Sequence, residues 1–282
     1  MGIRTDIAVE FAADRVNRKR EVAVHKYDVE GIEVTNVEIL SEQAANEIGK
    51  PMGKYVTLET KRNVNIFDLP MLTELLIAEI RGLIGRIDGD VLVVGIGNKT
   101  VTPDALGPKA AEGVMATRHL PKKLIDRLGL EGLRTVSVLS PGVSGQTGMD
   151  AKEILEGAIG RLKPDVMIIV DALAAREVSR LGRTVQLSNT GLTPGSGVGN
   201  SRTELSEKTL GVKCVTVGVP TVVDASTLCY DLTGEARHEH DPLIVTPRDI
   251  DRMIEKSGQV LAYSLNLAIH PDVDPEALRF CV

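Results

Sequence analysis

Short runs of consecutive apolar residues alternate with segments of helical period along most of this chain, and that alternation fixes the class of fold. VLVVGI (Val91–Ile96) and VMIIV (Val166–Val170) have no polar face, so a strand made from either must be covered on both sides. Asp90–Ile96, Arg134–Leu139, Thr184–Leu187 and Cys214–Val219 read as strands in the same way. Gly107–Arg118, Asp150–Leu162 and Arg248–Ile269 read as helices, with Asp150 as N-cap. A short helix is expected over Ala174–Ser179. Strands alternating with helices predict a three-layer α/β architecture, a mostly parallel sheet with helices on both faces. Ahead of it, Gly31–Ile39 and Lys54–Glu59 alternate apolar and polar residues, as half-exposed strands do. Asp68–Arg86 reads as an amphipathic helix with Asp68 as N-cap and Pro70 in its first turn. Residues 7–66 thus form a mixed segment and 67–282 a βα core.

The composition narrows the function classes. Aromatic residues make up 2% and there is no Trp, which argues against nucleic-acid modules that stack bases on aromatic rings. The net charge of −6 disfavours direct nucleic-acid binding and is compatible with a basic partner. No apolar run is long enough to span a bilayer, and MGIRTDIAVE at the start has no signal core, so a cytoplasmic protein is expected. Cys214, Cys229 and Cys281 have no CxxC spacing and read as free thiols.

Three loops rich in glycine and small polar residues follow strands: Gly95–Pro108, Ser140–Gly148 and Asn189–Asn200. The carboxyl ends of parallel strands form the ligand crevice of such sheets, so the loops are expected to meet there. Asp104 follows the strand that ends at Ile96, and Asp171 follows Val166–Val170. Each reads either as a helix cap or as a functional carboxylate at the crevice. Two carboxyls gathered there can activate a water between them.

Other candidates carry less. GIGNKTVTPDALG is neither GxGxxG nor a phosphate loop with its lysine, and PGSGVGN (Pro194–Asn200) reads as a tight loop more than a nucleotide cradle. His238 and His240 lie in a charged stretch without further ligands, and His25, His119 and His270 are scattered. No serine sits in a GxSxG elbow; Ser144 and Ser196 read as turn residues. No metal or cofactor site is expected.

These residues also carry a resemblance. RTDIAVE (Arg4–Glu10), GKYVTLE (Gly53–Glu59), VVGIGNKTVTPDALGPKA (Val93–Ala110), TRHL (Thr117–Leu120), PGVSGQTGM (Pro141–Met149), VDALAAR (Val170–Arg176), TGLTPGSGVGN (Thr190–Asn200), LGVKCVTVGVPTVVDA (Leu210–Ala225) and VTP (Val245–Pro247) run in order along nearly the whole chain. The sequence resembles the germination proteases of spore-forming bacteria, atypical aspartic endopeptidases. The resemblance implies an enzyme of the spore core that degrades small acid-soluble spore proteins without touching DNA. It implies a zymogen, a homotetramer, that trims its own N-terminus, and a fold shared with the hydrogenase-maturation endopeptidases. The family's catalytic aspartates fall on Asp104 and Asp171. Family substrates are cut after the first acidic residue of a segment like Thr-Glu-Ile/Phe-Ala-x-Glu, and Thr5–Glu10 has that order of residue types. Self-cleavage is then expected between Asp6 and Ile7, with residues 1–6 as propeptide and 7–282 as one peptidase domain. The chain departs from the family in its short propeptide and in the few residues between Ser226 and Ile244, where relatives carry a long charged insertion.

The expected chemistry is hydrolysis without a covalent intermediate. One aspartate draws a proton from water, and the other, protonated, hydrogen-bonds the scissile carbonyl. The oxyanion is expected to meet backbone N–H groups of the glycine-rich loops, around Gly95, Gly97 and Asn98 or around Gly195, Ser196, Gly197 and Gly199. Two other readings stay open: a metal-dependent endopeptidase of the hydrogenase-maturation type, and a non-enzymatic protein that binds basic or small ligands in the crevice.

Overall fold

In a computed structural model, nine strands among the described residues form one sheet in the order β1-β2-β3-β7-β8-β6-β4-β5, with β9 pairing the far end of β8. The structure describes residues 5–10, 21–127, 130, 132–196, 203–233 and 243–276. The strands are β1 (Val22–Val29), β2 (Ile32–Ile39), β3 (Gly53–Thr60), β4 (Val91–Gly95), β5 (Val136–Leu139), β6 (Val166–Ala175), β7 (Thr184–Ser188), β8 (Lys213–Asp224) and β9 (Ile244–Val245). The helices are α1 (Glu42–Ile48), α2 (Met71–Ile84), α3 (Leu106–Glu112), α4 (Lys122–Arg127), α5 (Ser144–Thr147), α6 (Ala151–Leu162), α7 (Glu207–Leu210), α8 (Ala225–Thr233) and α9 (Ile250–Ile269). No helix among the described residues is long and apolar enough to cross a membrane.

The α/β architecture holds, and its parallel part is four adjacent strands, β8, β6, β4 and, at the edge, β5. Their side chains alternate between two cores, as a strand's period of two requires. Val91, Val93, Ile168, Val170, Val215 and Val217 pack under α2, α3 and α9. Leu92, Val94, Met167, Ile169 and Cys214 pack under Ala151 and Leu155 of α6. Asp150 caps α6 as expected, and Glu153 completes the capping box.

The rest of the sheet is an antiparallel wing. β7 joins β8 to β3, and β3 leads to β2 and β1. β1 and β2 meet in a two-residue turn at Glu30 and Gly31, both at positive φ, the geometry that matches hairpin twist. β1 was not expected from the sequence: most of its residues are solvent-exposed, so no buried face marked it.

Three local expectations are corrected. Asp68 does not cap α2; it ends a one-turn helix, Ile66–Asp68, that Asn65 caps, and α2 starts after Pro70. No helix begins at Ala174, because β6 runs on to Ala175. β8 continues beside it and supplies ladder partners from Asp171 opposite Gly218 to Ala175 opposite Val223. Only a single turn, Val178–Arg180, follows. Asp171 therefore lies inside a strand, not at its end.

Candidate active site

β4 ends at Gly95, and the chain crosses to α3 through a loop that folds onto Asp104. Gly97 makes the crossing feasible: its φ is +130°, and a Cβ there would lie 2.0 Å from the Asp104 carbonyl oxygen, an approach open to glycine alone. The Asn98 N–H donates to Asp104 Oδ2 at 2.8 Å. Asn98 Oδ1 accepts from Thr100 N at 3.0 Å and from Gln146 Nε2 at 2.7 Å, which ties this loop to α5. Asp104 ends a short turn, Thr102–Asp104, and does not cap α3, whose N-cap is Ala105. Gly95 acts behind the site: a Cβ on it would meet Gly107 O at 2.2 Å, so it lets α3 press against the sheet.

Asp171 is 5% exposed and accepts from the Ala172 N–H at 2.9 Å. It shares its face of β6 with Met167 and Ile169, whose cover is α6. Beyond Asp171 that helical cover gives out. Leu173 and Ala175, next on the same face, pack instead against Ile7 and Val223. The end of the sheet thus carries a carboxylate between two apolar patches.

Asp104 and Asp171 line one cavity of about 250 Å³, together with Asp6, Gly97, Gly195 and Ile244. Val143 from the second loop also reaches it, so all three glycine-rich loops meet there as expected. The third does so by a different route. β7 is antiparallel to β8, so its loop starts low on the sheet and climbs back by pairing Leu192 with Leu205. Ser196 lies in this loop; Gly197 and Gly199 fall outside the described residues, as do His238 and His240. Ile244 sits in β9, which pairs with Asp224, so β9 forms part of one wall of the cavity.

Segment 5–10 lies across this site and is held there through Asp6, Ala8 and Glu10. The Asp6 N–H donates to Ala174 O at 2.9 Å, and Asp6 Oδ2 accepts from Ala174 N at 2.9 Å. Asp6 Oδ1 accepts from Ser196 Oγ at 2.5 Å. Ile7 is fully buried. Glu10 accepts from the Arg176 and Glu177 N–H groups at 3.0 and 3.2 Å and pairs with Arg180. A second recess of about 50 Å³ is lined by Asp6, Asp171, Lys50, Gln186, Ser196 and Gly218.

Lys50, Gln186 and Ile244, which line the two recesses, and Arg180, which pairs with Glu10, are not singled out in the sequence. Each is an ordinary residue in its own segment, and only the fold brings it to the cleft or to the segment docked there. Burial lowers the Lys50 pKa, against the opposing pull of the Asp6 and Glu10 carboxylates. Burial pushes the Cys214 thiol up to about 12, which leaves it unreactive in the core. Among the described residues no three His, Cys, Asp or Glu side chains gather as metal ligands.

A family described as germination protease matches residues 5–234. A germination protease of Caldanaerobacter subterraneus subsp. tengcongensis is 38% identical, with 99% of this chain and 98% of that protein covered. One from Bacillus velezensis is 44% identical, covering 97% and 95%. One from Geobacillus sp. is 40% identical, covering 97% and 95%. The Bacillus velezensis alignment runs over 352 positions against a chain of 282 residues, so that relative carries insertions this chain lacks.

Proposed function

The chain belongs to the germination protease family and is a peptidase; on that premise we propose an endopeptidase that opens the degradation of small acid-soluble spore proteins, with Asp104 and Asp171 as its catalytic pair. The observation that carries the proposal is the shared cavity: Asp104, Asp171 and Asp6 all line it. One carboxylate takes a proton from water as the water attacks the peptide carbonyl, and the other returns a proton to the leaving amine. The enzyme works on protein in the spore core and assembles as a homotetramer.

The same cavity supports self-processing. Segment 5–10 lies in the cleft like a bound substrate, with Asp6 beside Asp171 and Ile7 in the apolar patch made by Leu173, Ala175 and Val223. Cleavage between Asp6 and Ile7 releases residues 1–6. Until then the segment fills the place a substrate needs, which makes the uncut chain a zymogen.

The experiment is mass spectrometry of the protein, alone and with a small acid-soluble spore protein, beside Asp104→Asn and Asp171→Asn chains. Cuts after the acidic residue of the Thr-Glu-Ile/Phe-Ala-x-Glu segment, absent from both variants, are expected. Normal cutting by either variant overturns the assignment.

A further inference from the structure

One carbonyl in the docked segment receives two side-chain donors. Lys50 Nζ and Gln186 Nε2 each lie 3.0 Å from Asp6 O. They come from separate parts of the fold, Lys50 from the turn after α1 and Gln186 from β7. Gln186 also accepts from the Ala8 N–H through Oε1 at 2.5 Å. Its amide therefore bridges the carbonyl before Ile7 and the N–H after it, which fixes the register of the segment. Asp6 is held at its own N–H by Ala174 and at its carboxylate by Ala174 and Ser196. A residue fixed at that many points presents its carbonyl carbon in one orientation, with Asp171 lining the same recess.

A carbonyl oxygen has two lone pairs, and here both have donors. A protonated aspartate is then not needed on that oxygen, which departs from the role the sequence reading gave it. We infer that Lys50 and Gln186 form the oxyanion site of this peptidase, holding the carbonyl oxygen of the residue before the cut; this rests on the proposed cleavage between Asp6 and Ile7. The water oxygen bonds to the Asp6 carbonyl carbon while one aspartate takes the water's proton. The C=O electron pair moves onto the oxygen, where the ammonium and the amide hold it. When C=O re-forms, the bond to Ile7 nitrogen breaks, and that nitrogen takes the other aspartate's proton. One water is consumed, and one carboxyl and one amine are made. A substrate cut in trans presents its acidic residue to the same two donors.

Donors set in place before charge develops are among the largest contributions to such steps, and losing one costs roughly 10²–10³-fold in kcat. The test follows self-cleavage of the full chain by intact mass for Lys50→Met, Lys50→Arg and Gln186→Leu, with Asp104→Asn alongside. It also measures kcat and KM of the same chains on a peptide with the sequence of residues 1–15. Thermal unfolding checks each variant. Lys50→Met is expected to slow both reactions about 10²–10³-fold, mainly in kcat, with Lys50→Arg recovering part of the loss and Gln186→Leu falling in the same sense. Lys50→Met cutting within about threefold of the parent, or losing only in KM, overturns the inference. If Asp104→Asn is inactive while Lys50→Met is normal, only this inference fails. If Asp104→Asn cuts normally, the two-aspartate reading fails, and the Lys50 comparison still decides the oxyanion site.

Discussion

Glu10 and Arg180 form a buried ion pair, Oε1 to Nε 2.9 Å, that fastens the N-terminal segment to the turn after β6. Arg180 also holds Glu59 on β3 at 2.7 Å, so one guanidinium bridges Glu10 and Glu59, with the more exposed Glu177 carboxylate 3.9 Å away. Arg180→Met leaves both acids without their cation. Stability is expected to fall by about 3 kcal/mol, and the peptide bonds around residues 5–10 should become accessible to an added protease. Urea titration and limited proteolysis check this; an unchanged digestion pattern would mean that the backbone contacts alone hold the segment.

Asp104→Asn and Asp171→Asn each keep the shape of the side chain and remove its acid. Cleavage of a spore protein is expected to fall by about 10²–10⁴-fold in either variant, with thermal unfolding close to that of the parent. Loss of activity together with loss of folding would argue that the residue is structural.

Much of this was legible in the sequence, for reasons particular residues show. The unbroken apolar runs of β4 and β6 require cover on both faces, so the layered α/β class follows from them. Asp150 stands directly before a helical period, so α6 has a visible start. The cleft loops are marked by glycines whose positive φ or close approach nothing else satisfies, Gly97 above all. The rest depends on pairing between distant segments. Whether β6 stops at Val170 or continues past Asp171 is decided by β8, more than forty residues away. Lys50 and Gln186 carry no local signal, because their role exists only once residues 5–10 dock between them.

His270 supplies a pH dependence unrelated to catalysis. It is 1% exposed, its Nδ1 accepts from the Arg134 N–H at 3.1 Å, and its buried Nε2 has no hydrogen-bond partner among the described residues. Burial, helped by the Arg134 charge, lowers its pKa to about 4. The folded protein therefore favours the neutral ring. That contribution is fully present above the unfolded pKa near 6.5 and is lost as pH falls from there toward 4. The loss is expected to reach about 3 kcal/mol. Urea unfolding at pH 7, 5.5 and 4.5 should show it, and His270→Gln should flatten that part of the profile.

Gly97→Ala tests the crossing loop. The added methyl would meet the Asp104 carbonyl oxygen at 2.0 Å in a backbone conformation side chains rarely adopt. The loop must shift, at an expected cost of about 1–3 kcal/mol, and Asp104 shifts with it. Activity should fall much further than stability does. Full activity in Gly97→Ala would show that Asp104 tolerates displacement.

The placement of Asp171 within β6 makes the two aspartates mechanically unequal. β8 holds the backbone of Asp171 in register through Gly218, in the longest strand of the sheet, directly beyond the point where β4 pairs with Val170 on the other side. Asp104 hangs from a crossing loop whose own turns hold it. Any on–off change at this centre therefore repositions one carboxylate against a fixed reference. In hydrogen exchange, the amides around Asp171 should be among the slowest in the molecule, and those of residues 98–104 should be faster and should change more when the N-terminal segment is cut.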